Sequence, residues 1–244
     1  MKDFNPNRYA VITEKNPREI VMLRGHGCSW RRCRFCDYHL DSSTDETANF
    51  TLNREQLLKV TGVHGKLEVI NSGSFVDLDE QTLNLIGEVS QKKQISQVHF
   101  ECHWRHRESI KDFRKRFADL GIELKIKTGV ETFDSLFRES YLDKGFDVDN
   151  PEEIAKYFDE VCLLMGIPGQ TVDHMEQDIQ IGLAHFERIC INIMQENRKP
   201  IKPDPKVIAA FAKELYPKYI ENCRVDILME NTAFGVGGVV EHAE

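Results

Sequence analysis

Short apolar runs alternate along the chain with segments whose apolar residues recur at helical spacing. The helical segments are typified by Leu83, Ile86 and Val89, which fall on one face of a helix. Such alternation predicts βα units whose right-handed crossovers build a parallel sheet. We count seven strands in about six units. The predicted strands cover residues 19–24, 67–71, 98–102, 122–127, 160–165, 189–194 and 224–229.

Chain length decides which parallel architecture the units build. A closed eightfold barrel typically needs about 250 residues, and this chain of 244 residues also contains a long polar lead-in and a polar loop. We therefore predict an α/β fold with a partial (βα)6 barrel of parallel strands, and a doubly wound sheet is the alternative. Either fold gathers its chemistry at the carboxyl ends of the strands. We expect one domain over residues 1–244, with an irregular lead-in over 1–19 and a mobile tail over 231–244.

Composition and charge narrow the functional classes. The 32 Lys and Arg against 40 Asp and Glu give a net charge of −8. A broad phosphate-binding surface needs a basic excess, so we expect a small-molecule substrate and no direct contact with nucleic acid. The sequence has no apolar window long enough for a membrane span and no secretion pattern at its start. Together with seven cysteines, these features predict a cytoplasmic protein.

Three cysteines, Cys28, Cys33 and Cys36, follow the first predicted strand with the spacing C-x4-C-x2-C. An odd number of closely spaced thiols argues against a disulfide framework. With His39 they would form a tetrahedral Cys3His zinc site. Alone they leave one metal position open, which suits a [4Fe–4S] cluster. Zinc knuckles usually pair two short hairpins, and the sequence lacks a second C-x2-C, so the cluster is favoured.

The cysteine triplet, with Phe35 in a Cys-x-aromatic-Cys ending, precedes three further motifs in order. They are Asn-Ser-Gly-Ser-Phe at 71–75, Thr-Gly-Val-Glu-Thr at 128–132 and Gly-Ile-Pro-Gly-Gln-Thr at 166–171. This arrangement resembles the radical S-adenosylmethionine (SAM) superfamily over most of the chain. The superfamily usually has C-x3-C-x2-C, so this loop carries one extra residue, which brings Trp30 or an arginine into it.

The resemblance implies two cofactors, a [4Fe–4S] cluster and SAM, whose methionyl group chelates the iron that lacks a protein ligand. One electron from the reduced cluster then cleaves SAM to a 5′-deoxyadenosyl radical. An electron donor such as flavodoxin or ferredoxin is implied as a partner. The cluster ligands implied are Cys28, Cys33 and Cys36; the SAM contacts implied are Asn71, Ser72, Gly73 and Ser74 at the methionyl end, Glu131 at the ribose, and Gly166 with the backbone from Phe35 to Tyr38 at the adenine.

Within the superfamily, the chain length, the odd cysteine spacing and residues 25–39 resemble the queuine lyases of queuosine salvage, a tRNA modification pathway. For this group the resemblance implies radical attack on the cyclopentenediol of queuine, or of a related deazapurine. Cleavage of the C–N bond releases 7-aminomethyl-7-deazaguanine (preQ1). The alternatives are a radical SAM enzyme for another small molecule, a glycyl-radical activase, and a zinc module that recognises nucleic acid or protein through Arg31, Arg32 and Arg34.

A guanine-like base presents N–H donors, so its pocket needs a carboxylate. Glu101 is the strongest candidate, because it lies in the apolar run 98–102, where an idle carboxylate costs on the order of several kcal/mol. It could serve SAM instead. His26 precedes the cysteine loop and is expected near the cluster or substrate. The other candidates for substrate contacts at strand ends are His103, Asn192, Glu196, Asp226 and Glu230.

Overall fold

A single sheet of eight strands organises the protein, and a computed structural model describes residues 7–229 of it. The strands lie in chain order, with β1 antiparallel to β2 and β2 to β8 parallel. The seven predicted strands and the partial barrel are thus confirmed. The strands are β1 Tyr9–Ile12, β2 Arg18–Leu23, β3 Lys66–Asn71, β4 Gln97–Glu101, β5 Glu123–Glu131, β6 Glu160–Met165, β7 Arg188–Ile193 and β8 Val225–Leu228.

Helices occupy the crossovers between the parallel strands. They are α1 Glu46–Leu57, α2 Glu80–Lys92, α3 Ile110–Ala118, α4 Pro151–Ala155, α5 Val172–His185, α6 Pro205–Ala210 and α7 Tyr216–Tyr219. Side-chain oxygens of Asp45, Asp79 and Thr171 accept hydrogen bonds from free N–H groups at the starts of α1, α2 and α5. Within residues 7–229, no helix combines the length and apolar character needed to cross a membrane.

The lead-in differs from its prediction. Residues 1–19 were expected to be irregular, but β1 lies within them and pairs with β2, with Tyr9 opposite Val21. A four-residue strand between polar segments leaves almost no periodic signal, and here tertiary pairing fixes it. The expected mobile tail, 231–244, lies outside the described residues.

The two faces of the curled sheet carry different chemistry. Alternate residues of each strand, such as Val69, Phe100, Ile126 and Leu163, point outward and form one apolar core with the helices. The remaining residues point inward, where many are charged. Seven of these inward residues form a buried network that we call the charged plug: Arg18, Glu68, His99, Lys127, Glu160, Arg188 and Asp226.

Charges balance within the charged plug, with three basic side chains facing three carboxylates. Glu68 pairs with both Arg18 and Lys127. Arg188 lies 2.7 Å from Glu160 and 2.9 Å from Asp226. Burial alone would raise the pKa of Glu68, but Lys127, Arg18 and Arg188 together hold it well below its ordinary value. The Glu68 carboxylate is therefore ionised inside the protein.

The charged plug also joins the two edges of the sheet. Strand β8 forms no ladder with β1 or β2, yet Arg18 at the start of β2 lies 3.3 Å from Asp226 of β8. The Nδ2 of Asn16 donates to Asp226 at 2.7 Å, and the Nζ of Lys15 donates to the carbonyl of Ile220 at 2.7 Å. Side chains thus close the barrel at the amino-terminal ends of its strands.

Replacing one carboxylate of the charged plug tests its role in stability. We expect Glu68→Gln to lower the free energy of unfolding by about 3 to 5 kcal/mol, because Arg18 and Lys127 would keep buried charges without their partner. Urea denaturation measures this loss. Glu80→Gln is the control, since its exposed pair with Arg116 should contribute less than about 1 kcal/mol. Equal losses of unfolding free energy in Glu68→Gln and Glu80→Gln would show that the charged plug has no special role in stability.

Glu160 predicts a dependence of stability on pH. Burial alone would raise its pKa, but His99 and Arg188 lower it from 4.5 to about 2. Its contribution is therefore complete above pH 4.5 and is lost as the pH falls toward 2. The difference in unfolding free energy between the wild type and Glu160→Gln should narrow across that range. A constant difference would show that the carboxylate charge is unimportant.

Candidate active site at the cysteine loop

The loop that carries the three cysteines leaves the carboxyl end of β2 and lies against the turn after β3. The backbone N–H of Cys28 donates to the carbonyl of Ser72 at 2.9 Å, and that of His26 donates to the carbonyl of Asp77 at 2.9 Å. The cysteine loop therefore lies at the carboxyl edge of the sheet, where this fold is expected to gather its chemistry.

Arg31 explains how the loop accommodates its extra residue. Its φ of 54° lies in the left-handed region, which is uncommon for a residue with a side chain. From there its Nε donates to the carbonyl of Cys28 and a terminal nitrogen donates to that of His26, both at 2.8 Å. The guanidinium of Arg31 thus closes a turn within the longer cysteine loop.

Trp30 ties the cysteine loop to the segment 141–146, which follows β5. Its indole Nε1 donates to the carbonyl of Asp143 at 2.7 Å, and its ring stacks on His103. A Cβ at Gly145 would lie 2.6 Å from two atoms of the indole ring, so only glycine allows this contact. The N–H of Arg34 adds a bond to the carbonyl of Leu142 at 2.9 Å.

The cysteine thiols are free and lie in different degrees of burial. Cys33 is buried, whereas Cys28 and Cys36 are half-buried. Burial raises the pKa of Cys33, and it raises that of Cys36 to about 12. Iron coordination would remove these thiol protons.

The arrangement of the donors distinguishes the two predicted metal sites. Zinc needs its sulfur ligands about 2.3 Å from one ion. Among the described residues, no three His, Cys, Asp or Glu side chains converge in this way, so the structure gives no support to a Cys3His site with His39. A [4Fe–4S] cluster binds each thiolate through a different iron atom, so three cysteines that do not converge on one ion remain compatible with it.

An apolar cluster surrounds the cysteine loop. It includes Cys33, Phe35, Leu142, Leu164 and Ile167, all buried. The loop is fixed further where Nδ2 of Asn197 donates to the carbonyl of Phe35 at 2.6 Å. Such surroundings limit the access of water to a metal group.

The turn after β3 presents an unpaired acceptor toward this region. Nδ2 of Asn71 donates to the carbonyl of Ser74 at 2.9 Å, while its Oδ1 is buried without a partner among the described residues. A Cβ at Gly73 would lie 2.8 Å from the backbone nitrogen of Cys28. The hydroxyl oxygen of Ser74 already has a partner, because it accepts a hydrogen bond from the N–H of His103 at 2.9 Å. The free Oδ1 suits a ligand with an N–H donor, as the SAM amine has.

Glu131 occupies a β-bulge at the end of β5. The register shifts between Gly129 and Glu131, and Glu131 has a φ of 69°. Its carboxylate lies 2.6 Å from Nζ of Lys144. Burial alone would lower the pKa of Lys144, but Glu131 and nearby Cys33 raise it. Sequence reasoning missed Lys144, because a lysine in a polar loop carries no signal of burial.

Glu101, the last residue of β4, lies between the charged plug and the cysteine-loop end of the barrel. Its carboxylate is 3.5 Å from Nζ of Lys127, and 29% of its side chain is exposed. Burial raises its pKa, against the opposing effect of Lys127. A partly exposed inward carboxylate above a network of paired charges can accept hydrogen bonds from a ligand.

The other predicted contacts fall in several places. His103 already has two backbone partners, since its Nε2–H donates to the carbonyl of Lys144 and its Nδ1 accepts from the N–H of Arg105; burial lowers its pKa to about 3. Nε2 of His26 lies 3.3 Å from Glu46. Asn192 is half-buried near the carboxyl end of β7. Glu196 is exposed and lies 2.7 Å from Lys202. Tyr38 is also exposed, and Gly166 follows β6 with a φ of 93°.

The predicted location of Asp226 differs from its location in the structure. It was expected at a strand end near the substrate, but it is the second residue of β8 and belongs to the charged plug at the amino-terminal end. The sequence gives the inward face of the strand but not how deep in the barrel a residue lies. Glu230 lies outside the described residues.

Comparison with known proteins finds a related enzyme among the solved structures. No protein-family model matches the chain, and no curated protein does either. A solved structure described as queuine lyase from Clostridium spiroforme bound to SAM and queuine is 40% identical in sequence. The match covers 96% of this chain and 100% of that chain, with a TM-score of 0.90.

The contact between Trp30 and Gly145 predicts a coupled effect on stability. We expect Gly145→Ala to lower the free energy of unfolding by about 1 to 3 kcal/mol, because its methyl group would overlap the indole ring. Gly121→Ala is the control for backbone strain, since Gly121 has a similar φ of 73° but open space around it. In urea denaturation, Trp30→Ala should relieve part of the loss at Gly145. Additive effects at the two positions would exclude the coupling.

Proposed function

Because the chain belongs to the queuine lyase family of radical SAM enzymes, we propose that it cleaves the C–N bond between the cyclopentenediol and the amine of queuine. The product is 7-aminomethyl-7-deazaguanine. The observation that carries this proposal is the 40% identity over 96% of the chain, with the cysteine loop at the expected edge of the barrel. No feature of the described residues favours the zinc module or the glycyl-radical activase.

The cofactor site consists of residues at the carboxyl ends of four strands, β2, β3, β5 and β6. When bound, the cluster supplies one electron to the sulfonium of SAM, which yields methionine and the 5′-deoxyadenosyl radical. Cys28, Cys33 and Cys36 hold it. Oδ1 of Asn71 accepts from the methionyl amine, since this buried atom otherwise has no partner among the described residues. Ser72 and Gly73 shape the turn that places Asn71 beside the cysteine loop.

The opposite side of the site receives the nucleoside part of SAM. Glu131 accepts from the ribose hydroxyls, and Lys144 balances its charge in this buried position. Phe35, the backbone from Phe35 to Tyr38 and the turn at Gly166 bound the adenine. The apolar cluster around Phe35 excludes water from the reacting groups.

Glu101 receives the substrate base in this proposal. Its carboxylate accepts from the N1–H and N2–H2 groups of the deazaguanine ring, and Lys127 beneath it fixes its position and balances its charge. Asn192 and His26 are the candidates for the diol and amine. We further propose that flavodoxin or ferredoxin supplies the electron, that no nucleic acid takes part, and that the enzyme works in the cytoplasm, where its seven cysteines stay reduced.

Anaerobic incubation of the reduced protein with SAM and queuine tests the function. We expect 5′-deoxyadenosine and 7-aminomethyl-7-deazaguanine, both detected by mass spectrometry. Cys33→Ala should lose the visible absorbance of the cluster and both products. Cys223→Ala is the matched control, because this exposed cysteine lies outside the site. Intact queuine with no deoxyadenosine from the cluster-loaded wild type would refute the proposal.

The role of Glu101 has a separate test. Glu101→Gln should lower kcat/KM for queuine by roughly 10- to 100-fold, because the amide loses a charged acceptor and presents a donor to the base N–H groups. Glu196→Gln, at an exposed carboxylate, is the control. Steady-state kinetics and SAM binding are both measured. Weaker SAM binding with an unchanged KM for queuine would assign Glu101 to SAM instead.

A further inference from the structure

Six basic side chains surround the cysteine loop on the protein surface. Arg31, Arg32 and Arg34 lie on the loop itself, and Arg105 lies over the ring of Trp30. Arg198 and Lys199 approach from the other flank, where the N–H of Arg198 donates to the carboxylate of Asp37. We call these residues the basic face: Arg31, Arg32, Arg34, Arg105, Arg198 and Lys199.

Mostly neutral groups hold the arginines of the basic face. Arg31 donates to backbone carbonyls, and Arg34 donates to the carbonyl of Tyr141 and lies 5.6 Å from the centre of its ring. The guanidinium carbons of Arg32 and Arg105 lie 4.6 and 5.7 Å from the centre of the Trp30 ring. Carbonyls and aromatic rings fix a guanidinium without cancelling its charge. Arg32 also has a carboxylate partner, Asp143, at 3.2 Å.

Many basic side chains on other parts of the surface are instead paired with carboxylates. The pairs are Arg114 with Asp159, Lys115 with Asp119, Arg116 with Glu80, Lys125 with Glu187, and Lys218 with Glu176. In a chain of net charge −8, the basic face is therefore a local concentration of positive side chains at the cysteine loop. Burial lowers the pKa of His39, and neighbouring Lys199 and Arg31 lower it further, as this concentration requires.

The surface beside the basic face also has the composition of a protein interface. Tyr38 and Leu40, in the turn after the last cysteine, are 58% and 56% exposed. Protein interfaces are enriched in aromatic side chains and arginine and depleted in lysine and carboxylates. Arginine provides five of the six charges here. A small anion would need a concave pocket, whereas this surface extends over several loops.

Given the proposed function, the reaction consumes one electron that must enter from outside. We propose that the basic face docks an acidic one-electron carrier protein of the flavodoxin class, which loses one electron as the cluster gains it. The face adjoins the half-buried Cys28 and Cys36, so a carrier bound there lies beside the cluster ligands. Opposite charges on the two surfaces raise the rate of encounter and fix the orientation of docking.

A charge-reversal variant separates docking from chemistry. Arg105→Glu with Arg198→Glu changes two exposed side chains that hold neither cofactor nor substrate. Lys66→Glu with Lys92→Glu is the matched control, because both lysines are exposed at the amino-terminal end of the barrel. Bleaching of the visible cluster band, with reduced flavodoxin or photoreduced 5-deazaflavin as the reductant, gives the rate. The small neutral deazaflavin needs no charged docking surface.

With flavodoxin, we expect the Arg105→Glu, Arg198→Glu protein to be reduced at least about tenfold more slowly than the wild type and the control, with a flatter dependence on salt. With deazaflavin, all three proteins should react alike. Equal rates with flavodoxin, or equal slowing by both reductants, would overturn the proposal. The proposal would also be overturned if the double variant lost binding to a tRNA transcript but was reduced by flavodoxin at the wild-type rate. That result would mark a nucleic-acid surface.

Failure of the proposed function gives a different result. Suppose that bleaching by flavodoxin is slower only in the Arg105→Glu, Arg198→Glu protein, while the deazaflavin-reduced wild type leaves queuine intact. This result would support the docking surface and refute the lyase assignment.

Discussion

The balanced charges inside the barrel are the constraint on which the remaining structure depends. A sheet with aliphatic residues on both faces would fill its interior with a second apolar core. Here the pairs among Arg18, Glu68, Lys127 and Arg188 fill the amino-terminal end instead. The pair of Arg18 with Asp226 links β2 to β8 without a β ladder. Because that end is closed, the carboxyl end is the one available for ligands. The same pairs also position Lys127 beneath Glu101.

The candidate site is built where several weakly predictable features meet. The cysteine loop depends on the turn after β3, on the segment 141–146 and on Asn197 for its position. Three residues with side chains, Arg31, Glu131 and Asp143, adopt left-handed backbone conformations there. Strained conformations persist only where the surroundings over-determine them, and here the clamp by Arg31 and the ion pair of Glu131 with Lys144 supply that support.

Sequence periodicity was sufficient for the parallel strands and for the edge that carries the cysteines, because strands buried on a two-sided sheet have a strong local signal. It was insufficient for β1, whose four residues depend on pairing with β2. It also misplaced Asp226, since alternation gives the face of a strand but not the layer of the barrel. Lys144 was missed because its burial beside Glu131 arises only when two loops meet. The roles of the named site residues stay predictions.

The contact of Trp30 with Gly145 links the length of one loop to the size of a residue in another. Shortening the cysteine spacing to that usual in the superfamily would remove Trp30 or shift it from its place. The flat surface at Gly145, the stacking surface of His103 and the two guanidinium groups beside the indole would then face a void. The length of the cysteine loop and the size of the residue at position 145 therefore depend on each other. A redesigned or grafted cysteine loop has to bring the segment 141–146 with it.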